Sequence, residues 1–293
     1  MKMKVIFWPC AVFILVSCMA PKTQKKNNET VKKDTFTTSE YAIPVLGKDS
    51  VWRDSATRLD TVIGDWHVEI IKRPNNYIIG KGTPYQYADN SLFLTLSRKE
   101  KLIYKNKEIR TKDVVGEEGK DQLIYGAPIY ASASTMYLNI MTCMPETDVM
   151  WNMLYCITPY RKTDLYVMSL EMGEDEAGFI NSLSEFFTIY LHQKKIMRPT
   201  TMQMHELFNR YCTDHIRHQL ETEGAHADDE IILRSQSIDF EHALNTLIIE
   251  CDTFSKGAVV KFVPRPHHTD TVFLRVFGSG PFKNEGYKIT KIE

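Results

Sequence analysis

The hydrophobic periodicity of the chain changes near residue 173, and this change constrains the fold more than any other feature of the sequence. Before it, short apolar runs such as Leu92–Leu96 are separated by polar turns, a pattern that predicts β-strands. After it, apolar side chains recur at spacings of three and four from Phe179 to Leu191, which is typical of an amphipathic helix. We therefore expect an antiparallel β-rich domain over residues 46–172 and an α+β domain over residues 173–293.

Two parts of the β-rich domain predict particular strand pairings. The polar segment 97–101 lies between two apolar runs and predicts a β-hairpin. Farther along, three apolar runs with short turns between them predict an antiparallel meander: Met136–Met141, Val149–Tyr155 and Leu165–Leu170. A turn near Glu146 would place Cys143 opposite Met150 and Cys156 opposite Tyr137, so these two cysteines would be too far apart to form a disulfide.

The second domain begins with helical patterns and ends with strand patterns. Pro199 ends the first helix, and Thr200 or Thr201 can cap a second helix. The apolar face of that second helix consists of Met204, Phe208, Tyr211, Cys212 and Ile216. A short helix begins near Asp239, and four strands follow, over residues 245–250, 258–263, 272–277 and 287–292. This order predicts helices packed on one side of an antiparallel sheet.

The N-terminal residues 1–17 have the parts of a secretory signal. Lys2 and Lys4 precede an apolar run that is too short to span a membrane as a stable helix. The run ends in Leu15-Val16-Ser17-Cys18, which resembles the lipobox of bacterial lipoproteins. The resemblance implies that a lipid is attached to Cys18 and that the chain is cleaved before it. An uncleaved anchor helix and a plain secretory signal are the alternatives.

Residues 18–45 then predict an acylated cysteine followed by a flexible tether. The segment is rich in lysine, threonine and asparagine and has too few large apolar side chains to fold. Acyl chains on Cys18 would hold the chain on a bilayer. No acidic cluster follows Cys18, which favours an outer-membrane lipoprotein that faces the periplasm. The lipidation of Cys18 is thus the one modification that the sequence predicts, and the membrane is the corresponding partner.

Three segments of the second domain carry a resemblance to a known family. They are PTTMQMHELFNRYCTDHIRHQL, DDEIILRSQSIDFEHALNTLIIE and GYKITKIE. They resemble a family of bacterial lipoproteins of unknown function, and the resemblance covers residues 175–293. It implies a nuclear-transport-factor-2-like, or cystatin-like, cone of two helices followed by a curved antiparallel sheet. It implies no activity and no ligand. The β-rich domain resembles another uncharacterised lipoprotein domain.

His215 is the candidate catalytic residue if the chain is an enzyme. In a continuous second helix it would lie on the apolar face, pointing into the pocket of the cone, where an imidazole could act as a general base. The alternative is a hydrogen-bonded core histidine. His218 lies one turn later, but no third ligand is identifiable, so no metal is expected. The sequence lacks the common hydrolase, protease and phosphate-binding motifs. No catalytic residue and no cofactor are therefore assigned.

Other polar clusters have simpler interpretations. His226, Asp228 and Asp229 lack the spacing of a calcium loop and predict a solvated turn. His267 and His268 follow two prolines and predict a hairpin loop. A further cluster, consisting of Asp239, Glu241 and His242, is expected to cap and decorate a short helix.

Four cysteines and a group of aromatic residues complete the candidates. Buried free thiols are expected at Cys143, Cys156, Cys212 and Cys251, and a bridge between Cys212 and Cys251 is the alternative. A platform that binds sugars or peptides could be formed by Trp66, Tyr85, Tyr87, Tyr104 and Tyr125. Aromatic residues are equally at home in strands for packing reasons.

Composition narrows the function classes. The 293 residues carry a formal net charge of −1, which removes the electrostatic argument for a nucleic-acid partner. The hydrophobic fraction of 43% is that of an ordinary globular protein. The expectation is a lipid-anchored envelope protein that binds a ligand, a carbohydrate or an envelope protein without catalysis. The alternatives are an enzyme that uses His215 and a structural subunit of an envelope complex.

Overall fold

The fold is known from a computed structural model and is mostly β. The structure describes residues 51–83, 85–117, 121–147, 149–169, 175–197, 204–223, 232–233, 238–252, 257–266, 271–282 and 286–293. Strands make up 53% of these residues and helices 26%, so β-structure dominates. Several sequence predictions lie outside the described residues: the signal, Cys18, the tether, His226, Asp228, Asp229, His267 and His268.

Sheet A is formed by the first part of the chain. Its strands are β1 (Val51–Trp52), β2 (Thr57–Ile63), β3 (Trp66–Ile79), β4 (Gln86–Arg98) and β5 (Lys101–Arg110). They are arranged in the order β1-β4-β3-β2, with β5 also paired to β4, and only the β1–β4 pair is parallel. The turn between β4 and β5 contains Lys99 and Glu100, both with positive φ, which confirms the predicted hairpin. Helix α1 (Thr111–Val115) follows.

Sheet B confirms the predicted meander. Its strands are β6 (Leu123–Ala131), β7 (Met136–Cys143), β8 (Met150–Ile157) and β9 (Thr163–Met168), and they are paired in sequence order. The predicted register is also confirmed, because Cys143 lies opposite Met150 and Cys156 lies opposite Tyr137. Among the described residues, Cys143, Cys156, Cys212 and Cys251 form no disulfide.

The second half of the chain contains four described helices and sheet C. The helices are α2 (Asp175–Met197), α3 (His205–Tyr211), α4 (Asp214–Glu223) and α5 (Phe240–Thr246). The strands of sheet C are β10 (Ile248–Asp252), β11 (Gly257–Phe262), β12 (Val272–Phe282) and β13 (Gly286–Ile292), all antiparallel. The predicted first helix, the four strands and the short helix after Asp239 are confirmed. No helix among the described residues is both long and apolar enough to cross a membrane.

The central strands of sheet B, β7 and β8, are buried on both faces. Through one face, Tyr137, Leu154 and Tyr166 pack in a core that includes α2 and sheet C. Through the other face, Leu138 and Met153 belong to a second core with the inward side chains of sheet A. The layers therefore run from sheet A through sheet B and α2 to sheet C.

The expected fold class is wrong. The chain is not a β-rich domain followed by a nuclear-transport-factor-2-like cone of two helices and a sheet, because its described residues form three sheets and few helices. Helix α2 does not pack on one sheet alone, since it contacts β8 and β9 on one side and β10, β12 and β13 on another. The boundary near residue 173 stays a prediction, although side chains from both sides of it share one core.

The two predicted long helices also differ from expectation in detail. Helix α2 has no polar solvent face along its middle, because Ser184, Thr188, His192 and Gln193 are buried together with its apolar side chains. The second helix is broken into α3 and α4 at Cys212 and Thr213. At the break, the Cys212 backbone is extended and forms a bridge to Ile289 in β13.

Candidate functional site

A polar cleft of about 1140 Å³ lies between α2, α3, the α3–α4 connection and β13. We call it the Glu185 cleft, after the carboxyl group in its wall. The lining residues used below are Asn181, Glu185, Arg210, Tyr211, Tyr287 and Lys288. Small-ligand sites are usually clefts of about 300–1,000 Å³ with a mainly apolar lining and a few convergent polar groups, so this cleft is slightly larger and more polar than most.

The break between α3 and α4 shapes one side of the cleft. The N–H of Cys212 closes α3 by donating to the Phe208 carbonyl at 2.7 Å, and the N–H of Thr213 donates to the Ile289 carbonyl at 2.9 Å. In addition, Lys288 Nζ donates to the Asn209 carbonyl at 2.7 Å. These bonds attach the end of α3 to β13, so Tyr211 and Tyr287 are held at the same opening.

Gly178 allows Tyr287 to lie close to α2. A Cβ atom at Gly178 would come within 2.3 Å of the Tyr287 ring, a distance that no side chain can tolerate without displacing that ring. The same ring lies 6.3 Å, centre to centre, from Phe179. The absence of a side chain at Gly178 therefore allows this close packing, which places an aromatic ring in the cleft lining.

Glu185 is the most perturbed acid in the cleft. Burial raises the pKa of its carboxyl group, while the hydrogen bond from Tyr211 and the charge of Arg210 oppose that rise. The Tyr211 hydroxyl donates to Glu185 Oε2 at 3.0 Å, and the pKa of Tyr211 is raised by burial and by the Glu185 charge. A carboxyl group with a raised pKa in a cleft wall marks a candidate functional site.

The remaining charges around the cleft are mixed. Glu206 and Asp214 also line it, and they are balanced in part by Arg210 and Lys288. The Arg210 guanidinium lies 5.5 Å from the centre of the Tyr211 ring. The cleft therefore offers both donors and acceptors, together with aromatic surface, rather than a field of one sign.

The thiol of Cys212 also lines the cleft, but it is not a nucleophile. Burial raises its pKa to about 12, so the thiol is protonated at neutral pH.

The structure does not bring His215 into this site. His215 is exposed on α4, whereas Ile216 and Leu220 form the buried side of that helix. The predicted position on the apolar face assumed one continuous helix, and the break at Cys212 and Thr213 changes the helical phase. His215 is absent from the described lining of the cleft.

The other sequence candidates are also separated from the cleft. Asp239 accepts a hydrogen bond from the N–H of His242 at 3.0 Å, which confirms its predicted role as a helix cap. Glu241 instead forms an ion pair with Lys195. His218 is exposed on α4, and the described residues contain no group of three or more potential metal ligands.

The aromatic residues of the β-rich part do not form one exposed platform. Trp66 is buried in the core between sheets A and B, and Tyr125 lies under Lys72, 4.7 Å from the ring centre to Nζ. Tyr104 donates to the Arg161 carbonyl at 3.1 Å. Of the five residues considered, only Tyr85 is exposed, at 65%.

A buried polar cluster on α2 was missed by the sequence reasoning. The His192 side chain has 0% exposure. Its Nδ1 lies 3.0 Å from the Tyr137 hydroxyl, and its Nε2 lies 3.4 Å from Asp164 Oδ2. Burial lowers the pKa of His192 to about 4, although Asp164 opposes that shift. The imidazole is thus neutral at pH 7, and Nε2–H donates to Asp164 while Nδ1 accepts from Tyr137. This cluster joins α2 to sheet B and has a structural role.

Glu185 was also missed, although a signal exists in the sequence. It interrupts the apolar run between Leu183 and Phe186, in a helix where four other polar residues are buried: Ser184, Thr188, His192 and Gln193. Comparison with known proteins adds nothing to these observations: no protein-family model matches the chain, and no curated protein matches it significantly.

Proposed function

We propose that this chain is a lipid-anchored protein of the bacterial cell envelope that binds a polar ligand in the Glu185 cleft without catalysis. The observation that carries the proposal is the Glu185 carboxyl group, which is largely buried, bonded to Tyr211 and open to a cleft of about 1140 Å³. The anchoring part rests on the lipobox pattern that ends in Cys18.

The composition of the cleft favours a ligand rich in hydroxyl groups. Each hydroxyl both donates and accepts, so it matches a wall that offers carboxyl oxygens at Glu185 and Glu206 and an amide at Asn181. The Tyr287 ring adds apolar surface against which a sugar ring can pack. A carbohydrate of the cell envelope is the ligand class that meets these requirements best.

Binding is favoured over catalysis because the cleft lacks an activated nucleophile or base among its described residues. The Cys212 thiol is protonated, and His215 lies outside the cleft. A glycoside hydrolase is the second candidate, since the raised pKa of Glu185 suits a general acid and Glu206 and Asp214 line the same cleft.

Titration of the purified chain with soluble envelope oligosaccharides tests the proposal by calorimetry. Wild type is expected to bind, and Glu185→Gln is expected to lower the affinity about tenfold, because an amide NH₂ group that only donates replaces a carboxyl oxygen that can accept from a ligand hydroxyl. Glu117→Gln, at an exposed position outside the cleft, is the matched control. Absence of binding by wild type would refute the ligand class, and release of shortened products would favour the hydrolase.

The anchor requires a separate measurement. Mass spectrometry of the mature N-terminus is expected to find a lipid-modified Cys18, and Cys18→Ala should abolish both the lipid and the cleavage. An unmodified Cys18, or cleavage at another residue, would contradict lipid anchoring.

A further inference from the structure

A second groove, of about 700 Å³, lies at the tip of the β4–β5 hairpin. We call it the Arg98 groove. The residues that matter for its chemistry are Arg98, Lys99, Lys101, Pro159, Tyr160 and Met197. They come from three separate parts of the chain: the hairpin tip, the β8–β9 turn and the end of α2. One side of the groove is cationic and the other is apolar.

The apolar side is unusually exposed to water. Tyr160 is 92% exposed at a turn tip, and Met197 is 52% exposed at the end of α2. Tyrosine is enriched at membrane–water interfaces, because its ring prefers the apolar side and its hydroxyl the wet side. A tyrosine that projects this far from a turn beside a proline is suited to insertion among lipid headgroups.

The cationic side contains charges that the described residues leave weakly compensated. Arg98 Nε is buried without a hydrogen-bond partner, and the nearest acidic oxygen to the guanidinium is that of Asp65, at 4.0 Å. The guanidinium is held 5.6 Å from the centre of the Trp66 ring, so it is fixed in position. Lys101 is exposed and forms no ion pair within the described ranges, whereas Lys99 pairs with Asp65 at 3.2 Å.

We infer that the Arg98 groove contacts the anionic phospholipid surface of the membrane, with Arg98 and Lys101 at the lipid phosphates and Tyr160 and Met197 in the interface. Cations opposite anionic lipids give the required charge complementarity, at about 1 kcal/mol for each basic residue near the surface. The inference goes beyond the proposed ligand site and rests on the proposed lipid anchor. It assigns the protein a fixed orientation on the membrane.

The chain between the anchor and sheet A is long enough for this contact. Residues 19–50 connect Cys18 to β1, and a chain of that length can span at most roughly 110 Å. Val51 pairs with Gln86 at the start of β4, and the groove is at the other end of β4, about 40 Å away at the rise of an extended strand. The hairpin tip can therefore reach the bilayer that holds Cys18.

Hydrogen–deuterium exchange of the full lipidated chain tests the inference. The chain is reconstituted in vesicles of phosphatidylcholine alone and in vesicles that also contain phosphatidylglycerol. Peptides that cover residues 97–103 and 158–162 should exchange at least about threefold more slowly on the anionic vesicles, because the contact excludes water from exposed backbone. The protection should weaken at high salt, since the contact is partly electrostatic.

Matched variants separate the groove from general charge effects. Arg98→Gln with Lys101→Gln should remove the protection, whereas Lys81→Gln with Lys105→Gln changes the charge equally at exposed positions outside the groove and should preserve it. Lys101→Gln and Tyr160→Ser, each alone, change only exposed side chains and should each weaken the protection. These two single variants keep the test valid if the Arg98 substitution disturbs the packing of Trp66.

The outcomes distinguish the inference from the proposed anchor. Equal exchange on both kinds of vesicle would overturn the inference while the anchor stands. Protection by inorganic phosphate with neutral vesicles would assign the groove to small anions and also overturn it. A chain that fails to float with neutral vesicles would refute the anchor, and flotation with anionic vesicles alone would then still support the groove.

Discussion

At the scale of single residues, Glu185 shows a conflict between stability and binding. A carboxyl group that is largely buried and bonded to one tyrosine loses hydration that a neutral side chain would not lose. A protein without a use for this charge would be more stable with an uncharged residue of the same shape. Retention of a destabilising group in a cleft wall is typical of functional sites.

Glu185→Gln is therefore expected to raise the free energy of unfolding by about 1 kcal/mol at pH 7 while it weakens ligand binding. The raised pKa means that the folded chain binds this proton more tightly than the unfolded chain, so its stabilising contribution is present below pH 4.5 and is lost as the pH rises through the raised value. The difference in unfolding free energy between Glu185→Gln and wild type should thus grow with pH. Denaturant unfolding at several pH values measures it, and a variant that is less stable at pH 7 would contradict the argument.

His192 predicts the opposite dependence on pH. Its pKa falls from 6.5 to about 4 on folding, so the unfolded chain binds the proton more tightly. Stability is expected to decline as the pH falls from about 6.5 to about 4, by up to about 3 kcal/mol. The contribution of His192 can be isolated with the variant His192→Gln, whose free energy of unfolding should change less over this pH range. An equally steep decline in the variant would assign the effect to other groups.

Some residue roles could be predicted from the sequence and others could not. The Asp239 cap and the positions of Cys143 and Cys156 follow from local rules of helix ends and strand register, and both predictions are confirmed. The exposure of His215 depends on a bridge between Cys212 and Ile289, which are far apart in the chain. No local pattern reports such a contact, so the helical phase at His215 was predicted wrongly.

At the scale of elements, α2 is the central packing unit. Its aromatic side chains form a cluster in which Phe186 lies 5.1 Å from Phe187, 5.7 Å from Tyr211 and 6.3 Å from Phe208, measured between ring centres. The helix thus packs against α3 and against both neighbouring sheets. The sequence predicted this helix by its period but not its surroundings, because periodicity does not identify what covers the opposite face.

Phe186→Ala is expected to lower the free energy of unfolding by about 3–5 kcal/mol, because the ring is fully buried and leaves a cavity. Phe273→Ala is the matched control: the same substitution at a ring that is 63% exposed should change stability by no more than about 0.5 kcal/mol. Chemical denaturation measures both. Similar losses for the two variants would show that Phe186 is not packed as described.

The cap of α5 allows a second test at this scale. Asp239→Ala should cost about 1 kcal/mol of stability, because the N–H of His242 loses its acceptor, and Asp239→Asn should restore most of that loss. Thermal unfolding of wild type and the two variants measures these differences in stability. Equal losses in both variants would mean that the carboxylate charge, rather than the cap bond, is responsible.

At the scale of the whole molecule, the main feature is that sheet B belongs to two cores. The inward side chains of one face pack with sheet A, and those of the other face pack with α2 and sheet C. The order of strands could be predicted, because each run is local and each turn is short. The stacking of the sheets and α2 in layers could not be predicted in this way. The family resemblance of residues 175–293 instead predicted a cone that the structure does not have.

Because the two cores share a sheet, residues 51–293 should unfold in one cooperative transition. Leu94→Ala in the core with sheet A and Val260→Ala in the core with sheet C should each lower the temperature of the same transition, since neither core is complete without sheet B. Differential scanning calorimetry measures this. Two separate transitions, each shifted by one substitution only, would show that the cores unfold independently.

The double burial of sheet B also restricts the order in which the protein can fold. Until sheet A and α2 have both docked, the sheet exposes an apolar face to water, with Leu138 and Met153 on one side and Tyr137 and Leu154 on the other. An isolated fragment of residues 46–172 would keep one of these faces uncovered and would self-associate. As the chain folds, it therefore needs either rapid arrival of α2 or a chaperone that shields the sheet until the helix arrives.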